Sequence, residues 1–111
     1  DVRINEFTVA PQISPQNGLP YHEWMIEFEN IPQDLDVLAE QLDAFMRQQN
    51  VYYDDLITGK VLRPLVITPV KEGGFQQYMK SIGKLGGQNK IPRLSNDRTI
   101  ADALLKIANH D

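Results

Sequence analysis

The 111-residue chain contains no cysteine. That removes disulfide staples and thiolate metal sites, and with them any argument for an oxidising compartment. No apolar run approaches the roughly 20 residues a membrane-crossing helix needs. The sequence offers no signal-peptide pattern ahead of its first strand-like segment. Basic charge is scarce: 11 Lys and Arg stand against 15 Asp and Glu, a net charge of −4. A general nucleic-acid binder needs a basic face to neutralise phosphates, so that class is disfavoured. Repeats and low-complexity stretches are missing too. What remains is enough chain for one domain, able to bury roughly 60–70% of its unfolded surface around a single core. The chain opens on Asp1 rather than Met and reads as strand from Val2. That suggests a piece cut from a longer protein at a domain boundary. The alternative is a tag removed from a small complete protein.

Val2 to Val9 is rich in β-branched and aromatic residues and reads as a strand, with a phase shift between Ile4 and Phe7 that predicts a twist or bulge. Pro11, Pro15, Gly18 and Pro20 break the chain into a surface loop. Tyr21 to Glu29 alternates, with Trp24, Ile26 and Phe28 on one face and Glu23, Glu27 and Glu29 on the other. This predicts a half-buried strand with one wet face, paired antiparallel with the first. Pro32 suits a first helical turn. Leu35, Leu38, Leu42 and Phe45 then keep a helical period to about Gln48. Asn50 to Lys60 reads as a polar connection with room for one helical turn. Leu62 to Val70 is a third strand, and its run Leu65-Val66-Ile67 predicts a central strand covered on both faces. Phe75, Tyr78, Met79 and Ile82 predict a short helix ending at Gly83 or by Gly86-Gly87. Ser95 or Asn96 is placed to cap a last helix with the stripe Ile100, Leu104 and Ile107. The order β-β-α-β-α-loop-α gives an α+β fold: a small, mostly antiparallel sheet of three or four strands covered by helices.

The unusual segment is Gly86-Gly87-Gln88-Asn89-Lys90-Ile91-Pro92-Arg93-Leu94-Ser95-Asn96-Asp97-Arg98. From Lys80 to Arg98 there are five basic residues and one acid. An acidic domain with such a loop can receive one small anion, such as a nucleotide phosphate. Pro92 stiffens the loop and pushes Ile91 towards an extended conformation. A stiff loop presenting Lys90 suits a charge that must arrive at a fixed point. Composition alone favours the blander reading, a solvated loop with ordinary turn residues. The P-loop pattern is absent, since Lys90 follows Asn89 and precedes Ile91, and there is no Gly-x-Gly-x-x-Gly fingerprint.

This segment resembles the C-terminal signature of the Gretchen Hagen 3 acyl-acid amido synthetases, and is closest to their bacterial branch. Gln88, Lys90, Pro92 and Arg93 match the family's spaced Gln, Lys and Pro-Arg. Two further stretches look like the same branch: Glu6-Phe7-Thr8-Val9-Ala10-Pro11, and Tyr21-His22-Glu23-Trp24 running into Ile26-Glu27-Phe28-Glu29. The matches span residues 6 to 98 in order. The plant branch differs after the Pro-Arg pair, so its auxin and jasmonate substrates transfer poorly.

The resemblance implies a cytoplasmic ligase that activates a carboxylic acid with ATP, giving an acyl-adenylate and pyrophosphate. An amine, usually of an amino acid, then displaces AMP. It implies that residues 1–111 form one lid domain, whose partner is a large N-terminal domain holding most of the ATP and acyl site. The lid swings between two poses, and its loop lysine, here Lys90, reaches the α-phosphate and carboxylate. A lysine provides a compact charge with three donors for that task. Gln88 and Arg93 are implied to position the loop or contact phosphate. Mg²⁺ is implied with ATP, its ligands in the missing domain; no metal ligand is expected in this chain. Neither nucleic acid nor membrane is an expected partner.

Other residues have plain readings. His22 and Glu23 are adjacent on a strand and point to opposite faces, and the helical zinc pattern is absent. Trp24 reads as core. Tyr52, Tyr53 and Asp54-Asp55 read as a solvated connection, with a ligand groove or a domain interface as the alternative. His110 lies at a frayed end. The competing function is a non-catalytic α+β module that binds a small ligand or a protein, since fold alone does not settle function.

Overall fold

The computed structural model describes residues 2–13, 18–86 and 89–109. Gly87, Gln88, Pro15 and His110 lie outside the described residues. The elements are β1 (Ile4–Gln12), β2 (Tyr21–Phe28), α1 (Leu35–Gln49), α2 (Val51–Thr58), β3 (Val66–Val70), α3 (Gly74–Ser81) and α4 (Thr99–Asn109). The α+β class is borne out, as a three-stranded mixed sheet in the order β1-β2-β3 with helices on both sides.

β1 and β2 pair antiparallel, with Val9 opposite Trp24, and the register shifts between Ile4 and Glu6 where the bulge is expected. β1 runs three residues past Val9, through Pro11, rather than breaking there. β3 pairs parallel with β2. The parallel step needs a long crossover, and α1 and α2 supply it. The stretch from Asn50 to Lys60 therefore holds a second helix rather than a polar connection. Asn50 makes the junction: its N–H donates to Met46 O at 2.9 Å, and its Oδ1 accepts from Tyr53 N at 3.1 Å. One residue thus ends α1 and caps α2.

The predicted central position of β3 is corrected: it is an edge strand. Its apolar run is still explained, because both its faces are covered. Ile67, with Leu65 just before the strand, packs with Ile26, Phe28 and the α1 residues Leu35, Leu38, Leu42 and Met46. Val70 packs on the other side with Met25, Phe75, Tyr78, Met79 and Leu104. Pro69 sits inside β3, which an edge strand tolerates. α1 starts later than Pro32 suggests: Asp34 is the N-cap, accepting from Val37 N at 3.1 Å. Its buried stripe passes through Met46, leaving Phe45 55% exposed. Ile82, at the C-cap of α3, is also exposed.

The acidic face of β2 is not wet. Glu23 and Glu27 are both only 7% exposed, because α3 and α4 cover them. Alternation shows which face is polar, not whether something lies over it. On the opposite layer Asp43 of α1 is 5% exposed and accepts from the Tyr53 hydroxyl and from Leu65 N at 3.2 Å. Burial first, and then the bond to Asp43, push the Tyr53 phenol well above its ordinary pKa, so it stays a donor. Tyr53→Phe leaves a buried acceptor short of its partner. It is expected to cost about 1–3 kcal/mol, read as a lower urea midpoint at unchanged slope.

Candidate functional site

β1 has one edge free of β2, and the segment after Lys90 occupies it. Val9 N donates to Arg93 O at 2.9 Å, and Ser95 N donates to Val9 O at 2.8 Å, making a parallel bridge between Val9 and Leu94. The Thr8 hydroxyl donates to Pro92 O at 2.7 Å and lies 3.0 Å from Ser95 Oγ. Ile91 is buried in the cluster with Met25, Phe75 and Leu104. Residues 91–95 are therefore a strap across the sheet edge rather than a free loop. Ser95 does not cap α4 as expected, because its side chain and N–H are taken by β1. Asp97 accepts from Thr99 N at 3.0 Å instead, and that backbone bond holds its carboxyl below the ordinary range.

Lys90 is exposed and directly precedes the buried Ile91. It borders a cavity of about 250 Å³ with Asn5, Glu27, Lys84 and Met79, and a second of about 270 Å³ with Lys84, Asn89 and Ile100. Lys84 lines both with it. Sequence reasoning counted Lys84 in the basic run but did not nominate it. Topology supplies the missing signal: the turn after α3 returns Lys84 beside the start of the strap. Arg93 lies elsewhere. Its guanidinium pairs with Glu6 and sits 4.7 Å from the Phe7 ring centroid. It borders an apolar groove of about 460 Å³ with His22, Trp24, Tyr52 and Leu94. Lys90 and Arg93 thus line different cavities, and Gln88 is outside the described residues.

The end of the strap is tied through Arg98. Its Nη1 donates to Glu23 Oε1 at 2.6 Å, and its Nη2 donates to Asp102 at 3.1 Å. Glu23 Oε2 also accepts from the Thr68 hydroxyl at 2.5 Å. Burial alone lowers the Arg98 pKa, but the bonds and charges of Glu23 and Asp102 outweigh it and the net shift is upward. The Glu23 side chain is 9% exposed and that of Arg98 20%. Arg98→Ala leaves the Glu23 charge buried and uncompensated, with an expected loss of about 3 kcal/mol in denaturant unfolding.

His22 and Glu23 point to opposite faces as expected. His22 stacks on Tyr53 with ring centroids 5.7 Å apart. Burial lowers its pKa from 6.5. The unfolded chain therefore takes up a proton first as pH falls below about 6.5, and the fold loses stability until the lower folded pKa is passed. His22→Phe is expected to flatten that part of the stability–pH curve, measured by thermal melts between pH 5 and 8.

Residues 1–99 match the GH3 family C-terminal domain. No curated protein matches the chain. Among solved structures, "GH3.15 acyl acid amido synthetase" superposes with a TM-score of 0.74 at 22% identity. "AtGH3.15 acyl acid amido synthetase in complex with 2,4-DB" does so with a TM-score of 0.74 at 21% identity. Each match covers 96% of this chain and 20% of the other, so the chain spans a fifth of the length of those enzymes. At that identity the likeness shows the fold. The family match extends from β1 through the strap to the first residue of α4, and on it the chain belongs to the GH3 family, as its C-terminal domain.

Proposed function

We propose that this chain is the mobile C-terminal domain of an ATP-dependent acyl-acid amido synthetase, with Lys90 as its catalytic residue. In the first step a carboxylate oxygen attacks the α-phosphorus of ATP, and pyrophosphate leaves with the electrons of the broken P–O bond. In the second, an amine nitrogen attacks the acyl carbon. AMP leaves and the nitrogen loses a proton. The first step brings negative groups together, and Lys90 supplies the compensating charge at the α-phosphate and carboxylate.

The observation that carries this reading is the placement of Lys90. It is an exposed ammonium whose following residue is buried in the core and whose strap is bonded to β1. Its backbone is held while its side chain faces outward, the arrangement a charge arriving from a moving domain requires. Arg93 is engaged by Glu6 in this arrangement, so its proposed role is to hold the strap, with phosphate contact open to it only on leaving Glu6. Gln88 is proposed to position the loop. The described residues include no cluster of three or more His, Cys, Asp or Glu suited to a metal. No step here runs through Mg²⁺, which we assign with most of the ATP site to the N-terminal domain. The enzyme is proposed to be cytoplasmic, and this domain alone to be inactive.

The test is acid-dependent ATP–pyrophosphate exchange by the full-length enzyme over a panel of carboxylic acids. Lys90→Ala is expected to lower exchange about 10²–10³-fold, the usual effect of losing one preorganised donor. Exchange unaffected by the variant removes the Lys90 assignment. Absence of exchange with every acid favours the non-catalytic binding module.

A further inference from the structure

We propose that Thr8 of β1 is a positioning residue for Lys90, an inference that rests on the reading of Lys90 above. Thr8 is 0% exposed, in the middle of a strand where valine would fill the same space. Its hydroxyl has one hydrogen and two oxygen neighbours. Pro92 O, at 2.7 Å, can only accept, so the hydrogen goes there. The Ser95 hydroxyl, at 3.0 Å, is then the donor to Thr8. The relay runs from Ser95 to Thr8 to Pro92, and it brackets Arg93 and Leu94, on whose two sides Val9 bonds Arg93 O and Ser95 N by its backbone.

Lys90 stands just ahead of this clamp. On its C-terminal side the chain is held by the buried Ile91 side chain, the Thr8 hydroxyl and the two Val9 bonds. On its other side the described contact is weak, Asn89 Nδ2 to Gly86 O at 3.5 Å. The described hydrogen bonds next to the Lys90 backbone on its C-terminal side are those of the strap. Among the described residues, Thr8 is the sheet side chain that hydrogen-bonds the strap's backbone nearest to it. A displacement of about 1 Å at a charged group can cost about 100-fold in rate, so a loosened strap should be legible in kinetics.

Two measurements test the clamp and its consequence separately. The first is limited trypsin digestion of the 111-residue chain, following the Lys90–Ile91 bond by mass spectrometry. In Thr8→Val, cleavage there is expected to rise about tenfold, while cleavage after Arg47 inside α1 stays at the wild-type rate. Thr8→Ser should restore protection. Unchanged cleavage at Lys90, or an equal rise at Arg47, overturns the proposal.

The second is the exchange assay on the full-length enzyme. Thr8→Val is expected to lower kcat about tenfold with KM for ATP and acid nearly unchanged, and Thr8→Ser to recover it. In the Lys90→Ala background Thr8→Val should cost nothing further, because the two act through one group. A multiplied loss in the double variant overturns the proposal. If Lys90→Ala alone leaves exchange intact, the Lys90 assignment falls, and the digestion still decides the clamp. Should Thr8→Val fail to fold, Thr8→Ala, which also removes the hydroxyl that bonds Pro92 O, takes its place in both measurements.

Discussion

The two hydrogen bonds between Val9 and the Arg93–Ser95 backbone carry much of the architecture. An exposed strand edge offers unpaired N–H and C=O groups to any other chain. Here the edge of β1 is covered by a segment of the same chain, and that segment directly follows Lys90. Covering the edge fixes the geometry of residues that belong to no helix or strand. It also sorts their side chains. Ile91 goes into the core under α3 and α4, Lys90 stays beside the cavities on that side, and Arg93 and Leu94 face the groove under α2.

A second constraint comes from three buried carboxylates. Glu27 accepts from Phe75 N at 3.4 Å, at the start of α3, and from Asn5 Nδ2 at 3.2 Å. Glu23 is tied to Arg98 and Thr68, and Asp43 to Tyr53 and Leu65. Each joins elements distant in sequence. Such groups add little net stability compared with apolar residues of the same shape. Their partners are directional, however, whereas apolar burial is not, so they fix how each helix sits on the sheet. The Glu23–Arg98 pair matters most for the site, because it holds the chain just beyond the strap and so closes the second end of the segment that Val9 holds in the middle.

The sequence pattern carried the class, the first two strands, their bulge and the positions of α1, α3 and α4. Those signals are local, being periodicity, β-branching and glycine stops. What escaped it is non-local. The parallel pairing of β3 depends on α1 and α2 forming a crossover, and α2 has too short an apolar pattern to announce itself. Glu23 and Glu27 read as solvent-facing because a two-residue period does not show what lies above a strand. Ser95 has the chemistry of a helix cap, and only the proximity of Thr8 diverts it. At the candidate site, resemblance supplied Lys90, Arg93 and Gln88. Neither it nor the spacing indicated that Arg93 is held by Glu6, because that pair joins residues 87 positions apart. The neighbourhood of Lys84 and Lys90 was similarly hidden, although both belong to one basic run.

The strap also bears on how Lys90, the proposed catalytic residue, is presented. Gly83 and Gly86 both take positive φ, at 72° and 87°, conformations that side chains with a Cβ rarely adopt. They lie where the chain leaves α3, on the way to the strap. Once there, Ile91 and the hydroxyl relay anchor it. A lysine placed at those glycines would have its backbone set by a turn, and one placed after Ile91 would have its side chain constrained by the edge of β1. Position 90 lies between them, with its backbone next to the anchored Ile91 and its side chain exposed beside the two cavities. A four-carbon stem can then search a small volume around that position, which suits the role proposed for Lys90.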